Sequence, residues 1–300
     1  MIKSKRLLAM KKALTNRELF FLAKNKIKNT NINISDNEIY QILEYVNNYQ
    51  NYTEIILNFD KICENCRLFK KLFDELISGK PIQYLLNRAQ FLNFDLYVDK
   101  NVLIPRPETE GLVLKAIEYI EKLSLNRNLI VDVCTGSGAI AIALKDKFEN
   151  SEVFATDLHP ECIDIANKNA KIAEKQIHFL VGDKLEPLKE RKLKFDILIS
   201  NPPYVENIDD IEEKVKSYEP FDAVFTKDGT AFYETFFKEA NSVMNPNFFM
   251  AFEINYDQEE KLTELIKKYF KENIRYKFEK DIYNLNRYLF ILNGYEDRSF

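Results

Sequence analysis

The sequence predicts a doubly wound α/β sheet with one antiparallel strand near its end, preceded by a small all-α domain and a β-hairpin. Three observations predict it. From Leu129 onward, short apolar runs alternate with helical stretches, the pattern of parallel strands joined by crossover helices. A glycine-rich turn leaves the first of those strands and opens a helix, as ligand-binding loops of such sheets do. Before Gly79, apolar residues recur instead at threes and fours, the spacing of packed helices.

Within residues 1–80 the helical spacing shows at Leu7, Leu8, Met10 and Leu14, and again at Ile39, Ile42, Leu43 and Val46. The basic N-terminal stretch has neither an unbroken apolar run nor a small-residue cleavage site. It reads as an amphipathic helix, not an export signal. Ser35, followed three residues later by Glu38, has the spacing of a helix-capping box. Gly79-Lys80-Pro81 stops the helical pattern and divides the chain into residues 1–80 and 81–300.

Phe91 to Ile104 is extended, with Phe94, Leu96 and Val98 alternating as in a hairpin. Pro105 and Pro107 stiffen the next segment, and a helix is expected from about Glu108 to Leu123. Strands are expected at 129–134, 153–157, 177–182, 195–200 and 248–254, with a closing pair near 276–280 and 287–292. Helices fall between them at Ala139–Phe148, Pro160–Ala173, Thr230–Met244 and Gln258–Phe270. The last two strands have no helix between them, so one strand runs antiparallel.

The composition, 46% hydrophobic and 30% charged over 300 residues, is that of a soluble globular protein. No apolar run approaches the ~20 residues that cross a bilayer. Cys63, Cys66, Cys134 and Cys162 are too few and too irregular for a disulfide framework, and a reducing cytoplasm fits. Cys63-x-x-Cys66 lacks a second pair or a nearby histidine and reads as core thiols; His159 and His178 have no catalytic partner in view. Residues 1–80 hold 14 Lys/Arg against nine Asp/Glu, while the remainder holds 29 against 38. The larger, acidic part lacks the basic footprint of a duplex-binding protein.

Two groups of residues carry chemistry. In the first, Cys134, Thr135, Gly136, Ser137 and Gly138 leave a strand and open a helix, where glycines bring main-chain N–H groups close to a ligand. Asp157, 19 residues beyond Gly138 at the end of the next strand, is placed to accept hydrogen bonds from ribose hydroxyls. Gly136-x-Gly138-x-x-Ala141 also satisfies a dinucleotide fingerprint, so this loop does not separate NAD from S-adenosylmethionine.

The second group does. Asn201-Pro202-Pro203-Tyr204 follows the fourth strand, at the carboxyl edge where open sheets bind ligands. Two prolines remove two N–H donors and stiffen the turn, leaving the Asn201 oxygen and the Pro202 carbonyl as acceptors. Two acceptors grip the two hydrogens of an –NH2 group, whose lone pair then faces the cofactor's methyl group. Tyr204 offers an aromatic face to a flat, conjugated group.

With these residues in place, the chain resembles the release-factor glutamine methyltransferases, the HemK/PrmC family, over most of residues 79–300. The resemblance is carried by Gly79-x-Pro81-x-x-Tyr84, Leu103-Ile104-Pro105-Arg106-Pro107-Glu108-Thr109-Glu110, the glycine loop, Asn201-Pro202-Pro203-Tyr204 and Tyr218-Glu219-Pro220. It implies a Rossmann-like seven-stranded methyltransferase domain behind a helical domain and a hairpin linker. It implies S-adenosyl-L-methionine as cofactor, and methyl transfer to the glutamine amide of the Gly-Gly-Gln loop of peptide-chain release factors. No membrane partner and no direct nucleic-acid partner is expected, and residues 1–80 are expected to dock the release factor.

Carried over by position, the cofactor contacts are Cys134 to Gly138, Asp157, Asp183, Lys184 and Asn201. The substrate clamp is Asn201, Pro202, Pro203 and Tyr204, with Asn201, Pro202 and Tyr204 at the chemistry. Lys184 stands where the family commonly has an aromatic residue, and Asn255 where it commonly has glycine; the loop at Phe225–Gly229 lacks a customary first glycine. The same clamp would also suit the exocyclic amino group of adenine in nucleic acid, an alternative that the acidic balance of the catalytic part disfavours.

Overall fold

In the computed structural model, residues 13–28, 33–270, 274–295 and 300 are described. Leu7, Leu8, Met10 and most of the expected N-terminal basic helix lie outside them. The chain forms two compact units, the first ending at Leu86 and the second beginning at Asn87.

The first unit consists of α1 (Asn16–Ile27), α2 (Asp36–Asn47), α3 (Tyr52–Leu57), α4 (Cys66–Ile77) and the short α5 (Ile82–Leu86). The capping box at the start of α2 is present. The Glu38 N–H donates to Ser35 Oγ at 3.2 Å, and the Ser35 N–H donates to Glu38 Oε2 at 2.8 Å. Ile39, Ile42, Leu43 and Val46 are all buried, in a core shared with Leu19, Phe69, Leu72 and Leu76. Ile82 and Leu85 belong to that same core, so the first unit continues past Gly79–Pro81. The Asn47 amide donates to Asn16 Oδ1 at 3.0 Å inside it, and the Asn16 amide donates to the Asn58 carbonyl at 3.0 Å, so both buried polar side chains are bonded. Cys63 and Cys66 are free thiols; burial pushes Cys63 up to about 12, so it stays protonated.

The second unit opens with an antiparallel hairpin of β1 (Ala89–Phe91) and β2 (Phe94–Leu96), joined through Leu92 in the left-handed region (φ 49°). Both strands are short, and the chain is irregular from Tyr97 to Arg106. Next come α6 (Pro107–Lys122), β3 (Leu129–Val133), α7 (Ala139–Lys147), β4 (Glu152–Asp157), α8 (Pro160–Ile172), β5 (His178–Val181), α9 (Glu186–Glu190) and β6 (Phe195–Ser200). The chain ends with α10 (Glu213–Tyr218), α11 (Ala231–Val243), β7 (Met244–Glu253), α12 (Glu259–Tyr269), β8 (Arg275–Lys280) and β9 (Asn286–Asn293).

The seven strands are ordered β5-β4-β3-β6-β7-β9-β8. β9 pairs antiparallel with both of its neighbours and the other pairings are parallel, so one strand is reversed, as expected. β7 starts four residues before the expected 248. Its partner positions step from Phe195↔Met244 to Ile197↔Phe249, so the stretch around Asn245-Pro246-Asn247 forms an irregularity, where a proline without an N–H is tolerated.

Strand alternation splits the core between the two faces of the sheet. Ile130, Ala155, Ile197, Ile199, Phe249, Ala251 and Phe290 pack with α6 and α7. Val131, Val133, Phe154, Leu198, Met250, Phe252 and Leu289 pack with α11 and α12. Phe252 is fully buried and meets the rings of Tyr233, Phe236 and Phe237 edge-on, with centroids 5.4 to 5.9 Å apart. Phe252→Ala should therefore cost about 3–5 kcal/mol of stability. Urea unfolding of the two proteins measures it, and a loss below about 1 kcal/mol would show that the cluster repacks around the missing ring.

Candidate active site

The strand order reverses between β3 and β6, which pair in parallel from Ile130↔Ile197 to Val133↔Ser200. Their carboxyl ends therefore lie side by side, and each continues into one of the two groups of polar residues singled out in the sequence. Chain outside the sheet, notably Leu103–Glu108 and Pro220–Ala223, contributes to the walls of two cavities there.

The loop after β3 is held in a tight turn by left-handed residues: Cys134 (φ 64°), Gly136 (52°) and Gly138 (84°). A Cβ on Gly138 would lie 3.1 Å from the Cβ of Ala166 in α8, so glycine there answers both the dihedral and the packing. A Cβ on Gly136 would meet no atom within 4 Å; its missing side chain leaves open room along a cavity wall. Buried Asp132 ties strand, loop and helix together. Its Oδ2 accepts from the Thr135 hydroxyl at 2.6 Å and from the Ala141 N–H at 3.2 Å. Burial pushes this carboxyl up to about 7.

Asp157, at the end of β4, is 8% exposed. Its Oδ2 accepts from the Gly136 N–H at 2.9 Å and its Oδ1 from the His159 N–H at 3.1 Å. Each oxygen retains an acceptor site, so the carboxylate can take two further hydroxyls without breaking the turn. With Cys134, Gly136, Asp183, Lys184 and Asn201 it lines a cavity of about 140 Å³. Thr135, Ser137 and Gly138 do not line it. The Thr135 hydroxyl points inward to Asp132, the Ser137 carbonyl accepts from Asn169, and Gly138 caps α7.

Lys184 is itself left-handed (φ 46°), with its ammonium 5.4 Å from the centre of the Phe232 ring. Phe232, from α11, lines the same cavity and supplies an aromatic wall that position 184 does not. The acceptors at Asp157, the open space at Gly136 and this aromatic wall suit a nucleoside-bearing ligand, as S-adenosylmethionine is.

Asn201 follows β6 directly, and it also lines a second, wider cavity of about 450 Å³ with Pro202, Pro203 and Tyr204. Leu103, Asn201, Pro203 and Ala223 are common to both cavities. The Asn201 Nδ2 donates to the Thr109 hydroxyl at 2.9 Å, and that hydroxyl donates to Glu253 Oε2 at 2.7 Å. The Tyr204 hydroxyl donates to Glu253 Oε1 at 3.0 Å. Burial raises both the Glu253 carboxyl and the Tyr204 phenol above their ordinary values, so Tyr204 stays neutral.

The backbone around Tyr204 is braced from behind. Gln258 Nε2 donates to the carbonyls of Gly229 at 3.0 Å and of Tyr204 at 3.4 Å, and a Cβ on Gly229 would sit 2.6 Å from the Tyr204 oxygen. The stiff segment before α6 is fixed by Glu219, which accepts from the Ile104 N–H at 3.1 Å and pairs with Arg106 at 2.5 Å. Thr109, Glu219 and Glu253 lay in stretches that drew attention in the sequence, but no spacing rule joined them to Asn201. Phe232 and Arg287 line the cavities without any sequence signal. Among the described residues no group of three or more His, Cys, Asp or Glu is placed to hold a metal.

Residues 115–217 match the family model of the Methyltransferase small domain. The chain is 38% identical over 241 residues to a release factor glutamine methyltransferase of Flavobacterium psychrophilum, spanning 78% of this chain and 84% of the relative. It is 33% identical over 278 residues to one of Mycoplasma mycoides, spanning 90% and 96%. Among solved structures, the 16S rRNA N2 G1207 methyltransferase of T. thermophilus, in complex with AdoMet and guanosine, aligns with a TM-score of 0.51 at 17% identity. The alignment spans 69% of this chain and 50% of that one, and shows the shared fold.

Asp157→Ala should weaken S-adenosylmethionine binding by about 1–3 kcal/mol, the usual loss for a hydrogen bond to a charged group. Titration calorimetry reads this directly; an unchanged affinity would remove Asp157 from the ligand's contacts.

Proposed function

Because the chain belongs to the release factor glutamine methyltransferase family, we propose that it transfers a methyl group from S-adenosylmethionine to a release factor. The acceptor is the side-chain amide nitrogen of the glutamine in the Gly-Gly-Gln loop. The observation that carries this reading is Asn201 on the walls of both cavities, one suited to a nucleoside-bearing cofactor and the other to a substrate.

An amide nitrogen is a poor nucleophile, since its lone pair is delocalised into the carbonyl on the scale of the ~18–20 kcal/mol barrier to C–N rotation. When bound, S-adenosylmethionine supplies a methyl carbon made electrophilic by its sulfonium. The protein's task is to hold the amide so that the nitrogen lone pair is free. Asn201 Oδ1 and the Pro202 carbonyl accept the two N–H groups where a pyramidal nitrogen directs them, favouring the transition state over the planar ground state. Tyr204 offers a neutral aromatic wall to the flat amide. Asp157 and the Cys134–Gly138 loop hold the cofactor's nucleoside, with Phe232 beside Lys184 as the aromatic wall. Holding both reactants in one geometry supplies the remaining rate by proximity.

The first unit is proposed to dock the release factor. The basic excess of residues 1–80 comes from the first twelve positions, with Lys3, Lys5, Arg6, Lys11 and Lys12 and no acidic residue, and it favours encounter with an acidic partner. A substrate that works in translation supports a cytoplasmic setting for the reaction. No helix of the described residues is long and apolar enough to cross a membrane.

Incubation with labelled S-adenosylmethionine and either purified release factor or nucleic acid tests the substrate: label should enter the release factor at its glutamine. Label confined to nucleic acid would transfer the clamp to the adenine amino group. Asn201→Ala should slow single-turnover methyl transfer about 10²–10³-fold, as for loss of one preorganised polar group at a transition state. Asn201→Asp should fail nearly as badly, because the Nδ2 donor to Thr109 is lost and a second carboxylate is set near Glu253. An Asp variant close to the parent would mean that an acceptor oxygen alone suffices. Removing residues 1–86 should preserve cofactor affinity but slow methylation of whole release factor by about 10-fold or more. A soluble truncated protein working at the parental rate would discount the docking role.

A further inference from the structure

Asn201 can act as an acceptor only if its amide oxygen, and not its nitrogen, faces the substrate. The side-chain amide is nearly symmetric in shape, so something else must decide which end is presented. We propose that Thr109 and Glu253 are the positioning residues that decide it: a buried carboxylate fixes the threonine proton, and the threonine oxygen then fixes the Asn201 amide.

The chain of donors runs one way. Both oxygens of Glu253 accept from hydroxyls, Thr109 on Oε2 and Tyr204 on Oε1, the pattern of a carboxylate, which has only acceptor sites. A threonine hydroxyl has one proton. Once that proton is given to Glu253, Oγ1 can only accept, so the Asn201 group facing it must be the –NH2, at 2.9 Å. The Asn201 oxygen is thereby turned away from Thr109. The same carboxylate also orients the phenol of Tyr204, so one group sets the two polar side chains of the clamp.

The fold brings these residues together from three distant parts of the chain. Thr109 lies in the first turn of α6 and Glu253 ends β7. Ser200 is paired with Phe252, so Asn201 and Glu253 leave adjacent parallel strands at the same level. Thr109 is 5% exposed and Glu253 2% exposed. Burying a carboxylate is costly unless its oxygens are bonded, and here both are bonded to hydroxyls of the substrate site's own elements. The backbone carbonyl of Glu253 is held in turn by the buried Tyr233 hydroxyl at 2.7 Å, which fixes where the carboxylate starts.

This inference rests on Asn201 being the amide clamp, and the experiment separates the two. Thr109→Val keeps the shape and removes the hydroxyl, so the amide of Asn201 can turn over. With the full chain and intact release factor, Thr109→Val should lower the single-turnover rate by about 10–100-fold, the usual effect of losing a partner that orients an active-site group. Cofactor affinity, read by calorimetry, should stay at the parental value, because Thr109 does not line the cofactor cavity. Thr109→Ser restores the hydroxyl and should recover most of the rate.

Glu253→Gln provides an independent variant. Its carbonyl can still accept from Thr109, but its –NH2 then faces the Tyr204 hydroxyl and makes it accept, so the rate should fall between those of Thr109→Val and the parent. Parental rates in both Thr109→Val and Glu253→Gln, with Asn201→Ala inactive, would overturn the positioning role and leave the clamp standing. A loss in Thr109→Ser as deep as in Thr109→Val would also overturn it, since the hydroxyl would not be the working group. A near-parental Asn201→Ala would instead remove the clamp itself.

Discussion

The parallel pairing of β3 with β6 is the constraint on which the rest of the site depends. Four backbone pairs, from Ile130↔Ile197 to Val133↔Ser200, align two strands that are far apart in the chain. Parallel neighbours end at the same edge, so their continuations emerge together. One continuation is the glycine loop, the other Asn201-Pro202-Pro203-Tyr204. The strand order reverses at this pair, which parts the flanking crossover segments and leaves a crevice. β7 adds Glu253 one position beyond the Ser200↔Phe252 pair. The layout of the site is thus a consequence of register, which is held by the side chains that each strand packs on both faces of the sheet.

Buried carboxylates organise the irregular chain above that edge. Asp132 ties β3 to its own loop and to α7; Asp157 holds the Gly136 N–H; Glu219 holds the Ile104 N–H and Arg106; Glu253 holds Thr109 and Tyr204. Removing a carboxylate from water costs free energy, and burial raises Asp132 and Glu253 above their ordinary values. Hydrogen bonds to loop N–H groups and hydroxyls offset that cost. In return the loops have few alternative conformations, which is the condition for holding a weak nucleophile in one orientation.

The helical first unit is held by a different logic. Its core is aliphatic and aromatic, its helix starts are capped by Thr15, Ser35, Asn51 and Asn65, and its buried amides Asn16 and Asn47 are hydrogen-bonded to each other and to nearby backbone. It has a surface groove that runs between α1 and α4, lined by Leu19, Leu22, Phe69 and Phe73. Its acidic and basic side chains pair across the surface, as Arg17 does with Asp60 and Lys26 with Asp74. Such exposed pairs add little to stability.

What the sequence by itself determined is whatever depends on neighbours in the chain. The apolar run within Phe195–Ser200 makes a buried strand, the glycines at 136 and 138 make a left-handed turn, and Ser35 with Glu38 makes a cap. Each is a local preference that its own residues satisfy, so the seven strands, their single reversal and the two polar loops were legible. What only the tertiary structure decided depends on pairs distant in sequence. Thr109 and Glu253 are 144 positions apart, Ile104 and Glu219 are 115, and Lys184 and Phe232 are 48. The start of β7 at Met244 was likewise hidden, since its irregular pairing with Phe195 overrides a local pattern interrupted by Pro246. No spacing rule reaches these contacts, because they are set by which strands lie side by side, and the free energy that chooses that order belongs to the whole packed sheet.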